Sequence, residues 1–182
     1  MTDTDDRQRP VVLCILDGWG HREAREANAV ALADTPNWDR LAGTCPKALL
    51  ATSGRDVGLP DGQFGNSEVG HMNLGAGRVV RQELVRIGDA IADGTIARNV
   101  TLRGLVEALR DGGGRCHLLG LVSPGGVHSH QDHIAALARL VAEGGVEVVV
   151  HAFTDGRDTA PDRADAFVGR FIEDVDDLDG VS

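Results

Sequence analysis

The chain has 182 residues, which is enough for one domain or for parts of two, and its formal net charge is −10. Hydrophobic residues make up 42% of it but aromatic residues only 3%, so the expected core is built from small aliphatic side chains. The acidic balance argues against a nucleic-acid partner, because such binding needs lysine and arginine to neutralise phosphates. No apolar run approaches membrane-spanning length, which argues against a membrane partner.

The N-terminal residues MTDTDDRQRP are polar and acidic, which predicts a disordered tail over residues 1–10 and no secretory signal. The three cysteines, Cys14, Cys45 and Cys116, form no CxxC pair, and two of them lie in apolar runs. An odd number of cysteines in such settings predicts reduced, buried thiols and a cytoplasmic protein.

The first part of the chain predicts a small number of elements before a glycine-rich stretch. VVLCIL at residues 11–16 is a short apolar run typical of a buried strand, with Asp17 at its carboxyl end. Residues 36–42 predict a helix that begins at Pro36, and ALLATS at residues 48–53 predicts a second strand.

The second part alternates helices and strands. Apolar residues recur at helical spacing in two segments, the second of which ends in a run of glycines, and two further helices are separated by strands. The predicted helices cover residues 81–94, 99–114, 131–145 and 161–175, and the predicted strands cover residues 115–123 and 146–153. This alternation predicts an α/β fold with a mainly parallel sheet, whose ligands bind at the carboxyl ends of the strands.

The stretch GQFGNSEVGHMNLGAG at residues 62–77 places five glycines around Ser67. Ser67 suits two roles, either the N-cap of a short helix or a nucleophile and phosphate site at a helix N-terminus. A serine hydroxyl needs a base or a metal to become nucleophilic, and a cation held by carboxylates is the more economical choice. Asp17 is a candidate ligand for such a cation, although Asp-Gly is also a common turn dipeptide.

Two polar clusters follow the predicted strands. HSHQDH at residues 128–133 fits the HxHxDH pattern of dinuclear zinc hydrolases, but its last three residues also suit the opening of a helix. TDGRD at residues 154–158 places Arg157 between carboxylates, either as a solvated turn or as a group that grips an anionic substrate with two parallel bonds.

Five motifs in order resemble the cofactor-independent phosphoglycerate mutases, and together they span nearly the whole chain after residue 10. They are LDGWG at 16–20, NAVALADTPNWDRL at 28–41, GLPDGQFGNSEVGHMNLGAGR at 58–78, GGVHSH at 125–130 and HAFTDGRDTAP at 151–161. The resemblance implies interconversion of 2- and 3-phosphoglycerate through a phosphoserine, with two divalent ions, usually manganese.

The resemblance also implies an organisation and a set of site residues. Residues 11–80 correspond to the N-terminal part of an alkaline-phosphatase-like domain, and residues 81–182 to part of an inserted phosphotransferase domain that binds substrate. Ser67 corresponds to the nucleophile, and Asp17 and Ser67 to ligands of one metal ion. His128, Arg157 and Asp158 correspond to residues that hold the phosphoglycerate.

Members of this family are far longer, and the remainder carries most of their metal ligands. We therefore expect the isolated chain to be inactive unless a C-terminal polypeptide complements it. Two alternatives stay open from the sequence: a dinuclear zinc hydrolase that uses HSHQDH, and a noncatalytic fragment that binds a phosphorylated ligand.

Overall fold

The structure is a computed structural model that describes residues 10–182. The chain divides into two compact units, with the boundary between Ala51 and Thr52. The predicted tail over residues 1–10 lies outside the described residues except for Pro10.

The first unit contains two short helices, α1 (Ala29–Leu32) and α2 (Pro36–Thr44). The side chain of Asn28 caps α1 by accepting a hydrogen bond from the backbone N–H of Ala31 at 3.2 Å. Pro36 occupies the first position of α2, where its missing N–H costs no helical hydrogen bond, and the helix predicted over 36–42 is confirmed. The ring of Trp38 meets that of Trp19 edge to face, with centroids 5.5 Å apart.

Both strands predicted in the first part of the chain are wrong. Residues 11–16 are irregular and expose their side chains, with Val11 95% and Val12 85% exposed. Residues 48–53 form no strand either, and Leu50 is 78% exposed. A strand needs a partner for its backbone hydrogen bonds, and no described residue pairs with 11–16, while Ser53 makes only one isolated antiparallel bridge, to Phe64.

The second unit holds the remaining regular elements. Its helices are α3 (Ser67–Ala76), α4 (Glu83–Ala92), α5 (Val100–Gly112), α6 (Gln131–Glu143) and α7 (Ala164–Val175), with 3₁₀ turns at Gly54–Val57 and Thr95–Arg98. Its strands are β1 (Cys116–Leu121) and β2 (Val148–Phe153). The four helices and two strands predicted beyond residue 81 are confirmed, with shifts of a few residues at their ends. Gly113 ends α5 in the left-handed conformation at φ +66°, as the glycine run predicts.

The two strands pair in parallel, in a register that joins Cys116 to Val148 and Leu121 to Phe153. A further parallel bridge joins Val181, at the end of the chain, to Val148. The predicted α/β class with parallel strands is confirmed. Because the strands run in the same direction, the loops after Leu121 and Phe153 leave the sheet at the same edge.

Small aliphatic side chains fill the core of the second unit, as the composition predicts. One cluster joins the sheet to α5 and α6 and comprises Val106, Cys116, Ala138, Val141, Val146 and Val148. A second cluster, Val122, Ile134 and Phe171, lies next to the loop that follows β1. These clusters support the loops at the carboxyl edge of the sheet.

The prediction of buried thiols holds for one cysteine only. Cys116 is buried at the start of β1, and that burial raises the pKa of its thiol. Cys14 and Cys45 are exposed, so the prediction is wrong for them, because the apolar run around Cys14 is not packed in a sheet. All three thiols are free. Over residues 10–182, no helix combines the length and apolar character needed to cross a membrane.

Candidate active site

Ser67 is the first residue of α3 and its side chain is exposed. The N-cap is the preceding residue, Asn66, whose Oδ1 accepts a hydrogen bond from the backbone N–H of Val69 at 2.9 Å. The interpretation of Ser67 as the N-cap is therefore wrong, because Asn66 already fills that role. Ser67 instead occupies the first position of α3, in the turn whose backbone N–H groups have no partner within the helix and favour an anion.

His71 lies one helical turn after Ser67 and contacts it twice. Its Nδ1 lies 2.7 Å from the carbonyl oxygen of Ser67 and 3.2 Å from its Oγ. The shorter contact requires a proton on Nδ1, because a carbonyl oxygen only accepts. In this arrangement His71 donates to Ser67 and cannot act as its base. Sequence reasoning did not single out His71, although the i, i+4 spacing on a helix was a usable signal.

The glycines around Ser67 serve different purposes: Gly62 and Gly77 adopt the left-handed conformation at φ +79° and +63°, and Gly65 permits a close backbone approach. A Cβ atom at Gly65 would overlap the carbonyl oxygen of Thr52, whereas a Cβ at Gly70 would meet nothing within 4 Å. The glycine-rich stretch therefore closes tightly against residue 52 just before Ser67, and the outer surface of α3 stays open.

This contrast predicts opposite effects of two identical substitutions. Gly65→Ala should lower the free energy of unfolding by about 1–3 kcal/mol, because the added methyl must displace backbone. Gly70→Ala should raise it by up to about 1 kcal/mol, because alanine favours a helix interior and the site has space. Urea unfolding followed by circular dichroism measures both values. Equal effects of the two substitutions would contradict the close approach at Gly65.

A buried carboxylate organises the loops after β1 and β2. Asp155, only 6% exposed, follows β2, and its Oδ1 accepts hydrogen bonds from the backbone N–H groups of Arg157 at 3.0 Å and Asp158 at 3.1 Å. Its Oδ2 accepts a hydrogen bond from the hydroxyl of Ser123 at 2.8 Å, and Ser123 follows β1 and is 1% exposed. Backbone donation from Arg157, followed by the Ser123 hydroxyl and the N–H of Asp158, holds the pKa of Asp155 at about 2, below its ordinary value of 3.8.

This lowered pKa predicts how stability depends on pH. Because the folded state favours the ionised carboxylate, Asp155 stabilises the fold fully above pH 3.8, and that contribution disappears as the pH falls through about 2. Asp155→Asn should therefore be less stable than the parent chain at pH 5, and the difference should shrink at pH 2. Urea unfolding of both proteins at the two pH values measures this. A difference that is the same at pH 5 and pH 2 would contradict the account.

Three residues implied to bind substrate lie on these two loops. His128 is exposed on the loop after β1, and its Nε2 lies 3.7 Å from Oδ2 of Asp158 on the loop after β2. The side chain of Asp158 is only 12% exposed, whereas Arg157 is exposed. The structure thus brings the loops of His128, Arg157 and Asp158 together, with one guanidinium and one imidazole facing solvent.

Gln63 connects the glycine-rich stretch to the loop that carries His128. Its Nε2 donates to the carbonyl oxygens of Gly126 at 2.5 Å and Gly125 at 3.3 Å. The residues are more than sixty positions apart in sequence, so no local pattern could predict this contact. As a result, the segment that leads to Ser67 touches the segment that leads to His128.

The HSHQDH cluster opens a helix and does not gather its side chains around one point. His130 is the N-cap of α6, because its Nδ1 accepts a hydrogen bond from the N–H of Asp132 at 3.2 Å. His133 lies one turn further along, where burial first and the neighbouring His130 second lower its pKa. Since His128 faces Asp158 instead, the arrangement expected for a dinuclear zinc hydrolase is not formed by these residues.

The residues implied to be metal ligands belong to different units. Asp17 is an exposed turn residue in the first unit: the N–H of Trp19 donates to the carbonyl oxygen of Leu16 at 3.1 Å, and Gly18 has φ +78°. Ser67 belongs to the second unit. Across residues 10–182, no three His, Cys, Asp or Glu side chains are placed to hold a metal ion. Because hard cations take about six ligands and zinc four, Asp17 and Ser67 alone are too few for a metal site.

The chain is similar in sequence to known BPG-independent phosphoglycerate mutases. The sequence model described as "BPG-independent PGAM N-terminus" matches residues 87–182. The chain is 58% identical over 169 residues to the 2,3-bisphosphoglycerate-independent phosphoglycerate mutase of Gluconobacter oxydans, which covers 93% of this chain and 33% of that protein. It is 60% identical over 160 residues to the enzyme of the same name from Dinoroseobacter shibae, covering 88% of this chain and 32% of that protein.

A solved structure is also similar. The crystal structure of Leishmania mexicana phosphoglycerate mutase at low cobalt concentration aligns with a TM-score of 0.63 and 34% sequence identity, over 84% of this chain and 29% of that one. The chain spans about a third of the length of the curated relatives that it matches.

Proposed function

Because the chain belongs to the family of BPG-independent phosphoglycerate mutases and matches its N-terminal part, we propose that it supplies the phosphate-accepting serine and the substrate loops of such an enzyme. The reaction is the interconversion of 2- and 3-phosphoglycerate. The observation that carries the proposal is the exposed hydroxyl of Ser67 at the start of α3, on a segment that Gln63 joins to the loop of His128.

The chemistry follows from the two groups of residues. Ser67 Oγ attacks the phosphorus of bound phosphoglycerate, the bond from phosphorus to the substrate oxygen breaks, and the serine proton ends on that oxygen. The products are phosphoserine and glycerate. Arg157 and His128 hold the glycerate through its carboxylate, with Asp158 fixing the imidazole, and the second hydroxyl of glycerate then takes the phosphoryl group back. The sum of the two transfers is an isomerisation.

The finer assignments are part of the same proposal. Residues 11–80 belong to an alkaline-phosphatase-like domain and residues 81–182 to an inserted phosphotransferase domain. Asp17 and Ser67 contribute to one of two divalent cation sites, with Mn²⁺ as the expected ion, and the other ligands come from the part of the enzyme that this chain does not include. The enzyme is cytoplasmic, acts in glycolysis and gluconeogenesis, and takes a small phosphorylated substrate.

A fusion protein tests the proposal. This chain replaces the matching N-terminal third of the Gluconobacter oxydans mutase, and the fusion is assayed for conversion of 3- to 2-phosphoglycerate with Mn²⁺ added. We expect turnover by the fusion and none by the chain alone, and we expect a separately produced C-terminal polypeptide to restore activity when the two are mixed. A folded fusion without mutase activity would contradict the proposal.

A further inference from the structure

Asp155 and Ser123 are both buried, and the hydrogen bond between them connects the loops after β1 and β2. We propose that this pair fixes the relative positions of Arg157, Asp158 and the loop of His128, so that glycerate is retained between the two phosphoryl transfers. The inference rests on the proposed function, because it concerns the intermediate of that reaction.

The first step concerns the loop after β2. Asp155 Oδ1 accepts hydrogen bonds from the backbone N–H groups of both Arg157 and Asp158, so the carboxylate fixes the backbone from which these two side chains project. Hydrogen bonds to a charged acceptor are roughly twice as strong as those between neutral groups. The side chain of Arg157 is exposed, so the direction of its guanidinium depends on this backbone.

The second step concerns the loop after β1. The hydroxyl of Ser123 donates to Asp155 Oδ2 and accepts a hydrogen bond from the N–H of Gly125 at 3.2 Å. A Cβ atom at Gly125 would stand 3.1 Å from Asp155 Oδ2 and 3.2 Å from the Cβ of Asp158, so the two loops pack closely there. One carboxylate therefore sets the position of both loops, and its donor on the loop after β1, Ser123, lies 32 residues before it in the chain.

The third step concerns the intermediate. After the first transfer, glycerate carries no covalent link to the enzyme and must remain bound until it is phosphorylated again. If the two loops no longer keep their relative position, glycerate dissociates, and water cleaves the phosphoserine to give serine and inorganic phosphate. Loss of positioning therefore converts part of the mutase activity into phosphatase activity, whereas a general loss of folding reduces both.

The experiment uses the fusion protein with Ser123→Ala and Asp155→Asn. Ser123→Ala removes only one hydroxyl and keeps the carboxylate, so it carries the test if Asp155→Asn does not fold. We expect each variant to raise KM for 3-phosphoglycerate by about 10- to 100-fold. We also expect each to raise the ratio of inorganic phosphate released to 2-phosphoglycerate formed, measured by phosphate detection and by NMR.

Asp162→Asn is the matched control, because it removes an exposed carboxylate from the loop between β2 and α7. It should keep the parental KM and the parental product ratio. Folded Ser123→Ala and Asp155→Asn variants with parental KM and product ratio would overturn the positioning role while the proposed function stood. An inactive parent fusion that forms no phosphoserine would overturn both proposals.

Discussion

Ser67→Ala in the fusion protein is expected to lower kcat by at least about 10⁴-fold while leaving stability nearly unchanged, because alanine cannot accept the phosphoryl group. The fold does not depend on this hydroxyl. Asn66 supplies the helix cap, and alanine is favourable at an exposed position in a helix. Initial rates of 2-phosphoglycerate formation and thermal unfolding of the same samples measure the two effects.

Ser53→Ala is the control for this substitution. Ser53 is also exposed in the second unit, and its side chain makes no capping hydrogen bond to the 3₁₀ turn that follows it. The control should keep parental activity. A Ser67→Ala fusion that turns over at the parental rate would exclude Ser67 as the group that carries phosphate.

Arg157→Lys is expected to raise KM for 3-phosphoglycerate by about 10- to 100-fold. Arginine can bind a carboxylate or phosphate through two parallel hydrogen bonds, and lysine keeps the charge but loses that geometry. One lost hydrogen bond to a charged group costs about 1.5–3 kcal/mol, which corresponds to this change in affinity. The substitution should leave the fold intact, because Asp155 binds the backbone N–H at this position and the side chain is exposed.

Arg163→Lys serves as the comparison for Arg157→Lys, since Arg163 is an exposed arginine just before α7. Steady-state kinetics of both variants in the fusion protein separate a specific contact from a general effect of the exchange. Equal KM values for the two variants would show that the Arg157 guanidinium does not bind the substrate through two hydrogen bonds.

The four helices from α4 to α7 were predictable because their apolar spacing and end signals are local. Gly113 ends α5 where the sequence indicates, and in the first unit Pro36 likewise begins α2. Residues 11–16 have an equally clear apolar pattern, but a strand requires a partner elsewhere in the chain, and the pattern carries no information about that partner.

The site shows the same difference between local and long-range signals. The sequence indicated Ser67, His128, Arg157 and Asp158 through their motifs, and the structure places the last three on neighbouring loops. The sequence could not indicate that Ser123 donates a hydrogen bond to Asp155, or that Gln63 donates one to Gly126. These contacts depend on the pairing of β1 with β2 and on loop packing. Their position just after parallel strands was the only available hint for Ser123 and Asp155.

The identity of the phosphorylated residue tests the central proposal most directly. The fusion protein is mixed with 3-phosphoglycerate, quenched within milliseconds in acid, digested and examined by mass spectrometry. We expect one phosphoryl group on the peptide that contains Ser67, and its absence from the Ser67→Ala protein. A phosphoryl group on any other residue of an active fusion would contradict the proposal.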